Sequence, residues 1–317
     1  MIVALAGGVG GAKLAHGLYA ELPPDSLTVI VNTADDADMH GLRICPDLDT
    51  VLYTLAELAN PETGWGIQGD SFRLLEQLGR LGRPDWFRLG DLDFATHIAR
   101  TDLLRSGMGL TQVTRTLAGQ LAVRADLLPM CDERVETVVL TPDGELAFQD
   151  YFVRRHCTDT VLGLRFQGIE HATITPAVRE AIAGADAIVF CPSNPLVSVG
   201  PILGIPGMRA LLRDRGVPII AVSPIIAGAA VKGPAAKMLN DLGQGADVMG
   251  VARQYADLSP ILVIDEADRD LAGAVAEAGA RPVVAQTLMR STEDRRALAR
   301  VVLDLASAGL VQSGSAQ

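Results

Sequence analysis

Short, almost unbroken apolar runs recur along the chain with longer amphipathic stretches between them. Ile2–Ala6, Leu27–Val31, Ala187–Cys191, Pro218–Val222, Ile261–Ile264 and Pro282–Ala285 are the clearest runs. A strand with one face in water alternates apolar and polar residues. These runs do not, so they predict strands covered on both faces, as in a parallel sheet. Helical spacing of apolar residues is found in Lys13–Leu22, Asp49–Leu58, Pro206–Arg213, Ala267–Ala278 and Glu293–Ala306. Strand and helix alternate at both ends of the chain, which predicts an α/β fold with a doubly wound, mostly parallel, Rossmann-like sheet.

The middle of the chain has a different pattern. Asp91–Leu121 reads as all helical, with Asp91 and Thr111 as N-caps. Arg134–Phe152 predicts a hairpin, Val135–Leu140 and Glu145–Phe152, joined by Thr141-Pro142-Asp143-Gly144. The expected organisation is a body of residues 1–64 and 176–311, a helical and antiparallel insertion of residues 65–175, and a flexible tail of residues 312–317. No internal repeat is present.

Composition narrows the partners. Of the 317 residues 49% are hydrophobic and 21% charged, a globular balance, and the formal net charge is -11. Nucleic acid, which needs clustered Lys and Arg, is excluded as a partner; a small phosphorylated ligand, which needs one local positive site, is not. Cys45, Cys131, Cys157 and Cys191 are scattered without metal-ligand spacing, which fits reduced thiols in the cytoplasm. The apolar start lacks a basic region and runs straight into glycines, unlike a signal peptide. No stretch reaches the about 18 uninterrupted apolar residues of a membrane span.

Four segments carry candidate chemistry. The first, Gly7-Gly8-Val9-Gly10-Gly11-Ala12-Lys13, lies between a strand and a helix. Glycines let backbone N–H groups approach phosphate oxygens, and the helix N-terminus adds partial positive charge. GxGxxG needs a glycine where Lys13 stands, and a phosphate-binding Walker loop needs Ser or Thr at Leu14, so neither standard motif is met. A bare turn that lets strand and helix pack is the plain alternative.

The second segment begins at Asn32 and holds five aspartates within fifteen residues: Asp35, Asp36, Asp38, Asp47 and Asp49. A divalent cation relieves such repulsion, and magnesium suits a site beside phosphates because it takes one or two carboxylates. Capping of the next helix by Asp47 or Asp49 is the simpler role for one of them. The third, Trp65–Phe94, holds both tryptophans with Phe72, Phe87 and Phe94, interleaved with polar groups that include Arg88. Such a stretch suits either core packing or a flat aromatic ligand. His97, four residues after Asp93, reads as a hydrogen-bonded structural histidine. The fourth, Cys191-Pro192-Ser193-Asn194-Pro195, follows a strand expected near the sheet's centre, where α/β ligands bind. The loop Ser223–Ile226 with Lys232-Gly233-Pro234 is placed to face the same cleft. No GxSxG or cysteine-nucleophile context occurs.

Together with Pro46-Asp47-Leu48-Asp49-Thr50, Leu89-Gly90-Asp91, Ala95-Thr96-His97, Leu128-Pro129-Met130, Val222–Ile226, Gly233-Pro234-Ala235 and Thr287-Leu288-Met289, these segments resemble the 2-phospho-L-lactate transferase family over nearly the whole chain. That resemblance implies a homodimeric, magnesium-dependent enzyme of coenzyme F-420 synthesis. Such an enzyme moves a phospho-organic-acid group from a guanosine diphosphate-linked donor to the terminal hydroxyl of the deazaflavin Fo and releases GMP. It implies that Asp49 and Arg88 contact Fo, with Trp65 beside the ring. Asp36 and Asp49 become the catalytic and magnesium-binding pair. Gly7, Gly8, Gly10, Gly11, Lys13, Asn32, Ser193 and Asn194 fall on the nucleotide and phosphate side. The loop reads Gly-Val-Gly-Gly-Ala-Lys where archaeal members carry Gly-Thr-Gly-Thr-Pro-Lys, so the transferred acid stays open among lactyl, enolpyruvyl and glyceryl forms. The alternative is a regulatory nucleotide-sugar-binding protein of a related glycine-loop family, which has no evident need for the aromatic stretch or Arg88. A nicotinamide dehydrogenase is disfavoured by the missing third glycine.

Overall fold

The computed structural model describes the backbone of residues 1–313 and the side chains of residues 1–308. Of the expected tail, 312 and 313 end the last helix, and 314–317 lie outside the described residues.

The chain opens with β1 (Ile2–Ala6), α1 (Gly8–Glu21) and β2 (Leu27–Val31). A short hairpin of β3 (Ala37–Met39) and β4 (Leu42–Ile44) leads to α2 (Pro46–Leu55). Next come α3 (Arg73–Arg80), α4 (Asp91–Arg105), α5 (Leu110–Gln120) and β5 (Asp126–Pro129). β6 (Glu136–Thr141), β7 (Gly144–Ala147) and β8 (Gly163–Gln167) form a separate antiparallel sheet, β7-β6-β8. α6 (Pro176–Ala183), β9 (Ala187–Phe190), α7 (Val199–Gly204), α8 (Met208–Asp214) and β10 (Ile219–Val222) return to the body. The pair β11 (Ile225–Ile226) and β12 (Ala229–Ala230) precedes α9 (Ala235–Asp241) and α10 (Val248–Tyr255). β13 (Ile261–Ile264), α11 (Ala272–Glu277), β14 (Arg281–Val284) and α12 (Thr292–Ser313) complete the described chain.

The main sheet has the order β5-β2-β1-β9-β10-β13-β14, with every pairing parallel. Numbered by entry into the sheet this is 3-2-1-4-5-6 with a seventh strand added, the doubly wound order. The apolar runs are unbroken because each strand feeds two cores. Val3 and Leu5 join one, with Ile202, Met238 and Val251 of the later helices. Ile2, Ala4 and Ala6 join the other, with Leu14, Val51, Val113 and Val302 from α1, α2, α5 and α12.

Several local expectations change. The segment 65–175 is not wholly separate from the main sheet, since β5 within it pairs with β2. The helical stretch expected over Asp91–Leu121 forms two helices, α4 and α5. Their caps are Gly90 and Gly109, not Asp91 and Thr111. The first amides are held instead by carboxylates from elsewhere, Asp70 for Leu92 and Asp93 and Asp132 for Thr111. Glycine is required there for space, because a Cβ on Gly90 would lie 2.0 Å from Asp70 Oδ2. The hairpin's second strand ends at Ala147, and Asp150–Arg154 winds into a π-helical turn. Glu266–Leu271 is a 3-10 turn before α11.

Candidate active site

In a doubly wound sheet the ligand crevice opens where the chain switches direction, here between the carboxyl ends of β1 and β9. Gly7 alone links β1 to α1, so the glycine segment is the first turn of the helix. The Gly7 N–H donates to Ser193 Oγ at 3.1 Å, and that hydroxyl donates back to the Gly7 carbonyl at 2.9 Å. The two loops touch so closely that side chains are excluded. A Cβ on Gly10 would sit 2.2 Å from the Pro192 carbonyl oxygen, and one on Gly7 would sit 2.6 Å from Asp47 Oδ2. Asn194 Oδ1 accepts from the Leu196 N–H at 2.9 Å and holds its own loop. Lys13 Nζ donates to the Met289 carbonyl at 2.9 Å. Burial, then the charges of Arg295 and Lys232, lower the Lys13 pKa; this local cationic site suits an anion.

The crevice widens into a cavity of about 530 Å³. Gly7, Gly8, Gly10, Lys13, Ser193 and Asn194 line one end of it, and Asp49, Trp65 and Arg88 also line it. Three expected site residues lie behind the wall. Gly11 packs under Ser193. Asn32 is fully buried and donates to Asp47 Oδ2 at 2.9 Å, which positions that carboxylate. Asp36 is buried away from the cavity. The Arg88 guanidinium lies 4.0 Å from the Phe72 ring centroid, and Trp86 meets Phe87 edge-on.

Sequence reasoning missed part of the wall. Phe148 and Phe152 stack at 5.5 Å, carried by the chain end of β7 and the π-helical turn. Their spacing of four was the available signal, but the segment read as strand. Arg100 was also missed. It is completely buried on α4 and binds Asp49 through both guanidinium amino nitrogens, Nη1 reaching Oδ2 at 3.1 Å. Burial opposes the Arg100 charge, but Asp49 outweighs it and raises the pKa.

Neither Asp47 nor Asp49 caps α2. The cap position is Cys45, Pro46 starts the helix, and both carboxylates sit in its first turn, favoured there by the helix dipole. Asp35 and Asp47 line the cavity beside the glycine turn. Asp35 Oδ1 has no partner among the described residues. Burial and then the Asp47 charge raise the Asp35 pKa well above the usual carboxylate value, and burial raises that of Asp47. Burial takes Asp36 to about 7. His97 is held down to about 4 by burial, against the pull of Asp49, and is therefore neutral.

Residues 2–305 match the family model described as 2-phospho-L-lactate transferase CofD. The chain belongs to the 2-phospho-L-lactate transferase family. A 2-phospho-L-lactate transferase of Methanosarcina acetivorans is 43% identical over 304 residues, covering 96% of this chain and 98% of that one. A phosphoenolpyruvate transferase of Streptomyces griseus is 43% identical over 311 residues, with the same 96% and 98% coverage. A solved structure of a UPF0052-family protein from Bacillus halodurans covers 95% of this chain and 98% of its own at a TM-score of 0.60. At 16% identity it shares the fold alone. In this family member the Pro46–Thr50 and Pro192–Pro195 segments both come close to Gly7. No helix among the described residues is long and apolar enough to cross a membrane.

One cavity carboxyl yields a pH prediction. Burial, then the Asp49 charge, raises Asp93 to about 6 from 3.8. The folded state then holds its proton more tightly than the unfolded chain, so stability is lost as pH rises from the unfolded value through about 6. Asp93→Asn is expected to melt a few degrees higher than wild type near pH 8, with the advantage gone near pH 4. Melting curves at both pH values check this, and equal curves near pH 8 would contradict it.

Proposed function

We propose that the protein transfers a phospho-organic-acid group from a guanosine diphosphate-linked donor to the ribityl hydroxyl of the deazaflavin Fo, giving a coenzyme F-420 precursor and GMP. The observation that carries this reading is that one cavity joins the glycine turn and cationic Lys13 to an aromatic wall bearing Asp49 and Arg88. The glycine turn suits the donor diphosphate and the aromatic end suits the ring. A nucleotide-sugar sensor has no use for the second half of this cavity.

The ribityl oxygen attacks the phosphorus that carries the three-carbon acid, the bond from that phosphorus to the GMP oxygen breaks, and the hydroxyl proton leaves through Asp49 to water. Arg100 occupies one lone pair on each Asp49 oxygen, which leaves others free to orient the hydroxyl. Phosphoryl transfer asks mainly for such positioning and charge neutralisation. Relatives named for phospholactate and for phosphoenolpyruvate are equally similar to this chain, so identity does not choose the acid.

Magnesium fits the site, though on a different pair from the expected Asp36 and Asp49. Arg100 already neutralises the Asp49 charge, and Asp36 lies behind the wall. Asp35 and Asp47 face the cavity, repel each other, and include an unpartnered oxygen. When bound, magnesium would neutralise charge on the donor phosphates. Asp35→Asn and Asp47→Asn are expected to raise the magnesium concentration for half-maximal rate about tenfold or more, and Asp36→Asn to leave it near wild type. A shift in Asp36→Asn alone would return the ion to the other pair.

The direct test incubates purified protein with Fo, magnesium and each guanylylated donor in turn. GMP and a more acidic deazaflavin are expected with one of the lactyl, enolpyruvyl or glyceryl donors. No product with any of them overturns the proposal.

A further inference from the structure

His97 has one ring nitrogen that the fold uses and one that it does not. α4 places His97 and Arg100 three residues apart on one helical face. There Arg100 Nη1 lies 3.3 Å from His97 Nδ1 while the same guanidinium holds Asp49. A guanidinium donates hydrogen bonds and accepts none. With one Nη1 hydrogen on Asp49, the other is nearer His97 Nδ1 than the Arg43 carbonyl at 3.5 Å, an arrangement that asks Nδ1 to present its lone pair and leaves the imidazole proton on Nε2. Asp49 Oδ2, 3.6 Å from Nδ1, is beyond hydrogen-bond reach and does not reverse this assignment.

The Nε2–H is a donor without an acceptor. Only 2% of the His97 surface is exposed, and Nε2 meets no partner among the described residues. Buried donors are seldom left unmet, and an exception calls for an explanation such as an ordered water, an ion or a functional role. His97 belongs to the cavity wall, as do Tyr53, Asp93 and Asp49, and the Tyr53 hydroxyl is also unpartnered. Asp49 Oδ2 lies 3.6 Å from the His97 ring, and Asp93 stands four residues before it on the same face of α4. Arg100 meets the Asp49 charge, and the Asp93 carboxylate would repel a phosphate or carboxylate, so the acceptor that fits is an uncharged oxygen.

We propose that His97 Nε2–H donates a hydrogen bond to a ring carbonyl of the acceptor substrate and so selects it, and that Arg100 is the positioning residue that fixes the donor tautomer. This rests on the reading of the acceptor as a deazaflavin. A deazaflavin ends in a pyrimidinedione, in which a ring N–H stands between two carbonyls. The carbonyl meets His97, and the adjoining Asp93 supplies an acceptor for the N–H. The same edge excludes flat aromatics without a carbonyl, because binding them would leave the buried donor unmet.

The test combines kinetics with the ring's own spectrum. In His97→Leu the KM for Fo is expected to rise about tenfold, while the KM for the guanylylated donor stays in place. His97→Gln, whose amide offers an acceptor and a donor together, recovers most of that loss. Nitrogen-15 spectra of histidine-labelled wild type, with no ligand added, are expected to show the proton on Nε2, and added Fo to shift that signal. An unchanged KM for Fo in His97→Leu, or a proton on Nδ1 in the free protein, overturns the inference. Wild type that neither binds nor converts Fo overturns the acceptor reading and this inference with it, a result distinct from loss confined to the variant. Should His97→Leu fail to fold, a wild-type KM in His97→Gln supports the donor role, a KM as high as the predicted loss overturns it, and the spectrum decides the tautomer independently.

Discussion

Asp49→Asn is expected to lose about 3–5 kcal/mol of stability and at least about 100-fold in turnover. Asp49 and Arg100 form an ion pair whose side chains are 7% and 2% exposed. Taking charges out of water is costly, and each is tolerated because the other is beside it. Removing the carboxylate charge strands a guanidinium that cannot lose its proton. Against a total stability of about 5–15 kcal/mol, that loss threatens the fold itself. Chemistry and folding are separated by pairing the change with Arg100→Met, which removes the stranded charge and fills the space with an apolar chain. The double variant is expected to recover a large part of the lost melting temperature and none of the turnover. Equal melting temperatures in single and double variants would show that the pair carries little of the fold. Wild-type turnover in either would remove Asp49 from the reaction.

Gly10→Ala is expected to abolish donor binding and to destabilise the protein by about 1–3 kcal/mol or more. The added methyl would lie 2.2 Å from the Pro192 carbonyl oxygen. Both contacts are backbone, one in the first turn of α1 and one in the loop after β9, so no side chain can move aside. The strain is relieved only by spreading the two loops that form the crevice. Gly119→Ala is the control: it lies on α5 with nothing within 4 Å of the new methyl. There alanine should stabilise by about 0.5–1 kcal/mol through its better helix propensity. Calorimetric titration with the guanylylated donor and melting curves measure both effects. Wild-type donor affinity in Gly10→Ala would show that the contact between the loops does not shape the site.

Much of the fold was legible because it depends on local pattern. Doubly buried strands need unbroken apolar runs, and Leu27–Val31 and Ile261–Ile264 sit where those runs end. The glycine turn and the Ser193-Asn194 loop were identifiable from residue type and from position relative to a strand, whereas Arg88 stood out only through the family resemblance. Errors arose where the partner is remote. Asp91 and Thr111 have the right chemistry to cap, yet Asp70 and Asp132, more than twenty residues away, reach those helix ends first. Nor does anything local show that Asp36 is turned away from the cavity that Asp35, Asp47 and Asp49 line, or that Arg100, fifty-one residues on, pairs with Asp49.

By itself, the sequence determined the layers, the sheet class and the materials of the site: glycines and a lysine after the first strand, clustered aspartates, and an aromatic stretch with Arg88. Those follow from residue spacing, because periods of two and of 3.6 and the steric freedom of glycine are local properties. Only the tertiary structure decided which carboxylates face the cavity, which one is neutralised by a buried arginine, and that the π-helical turn after β7 contributes Phe152 to the wall. Those outcomes depend on burial and on charges brought together from distant parts of the chain, and desolvation has no value until the fold has excluded the water.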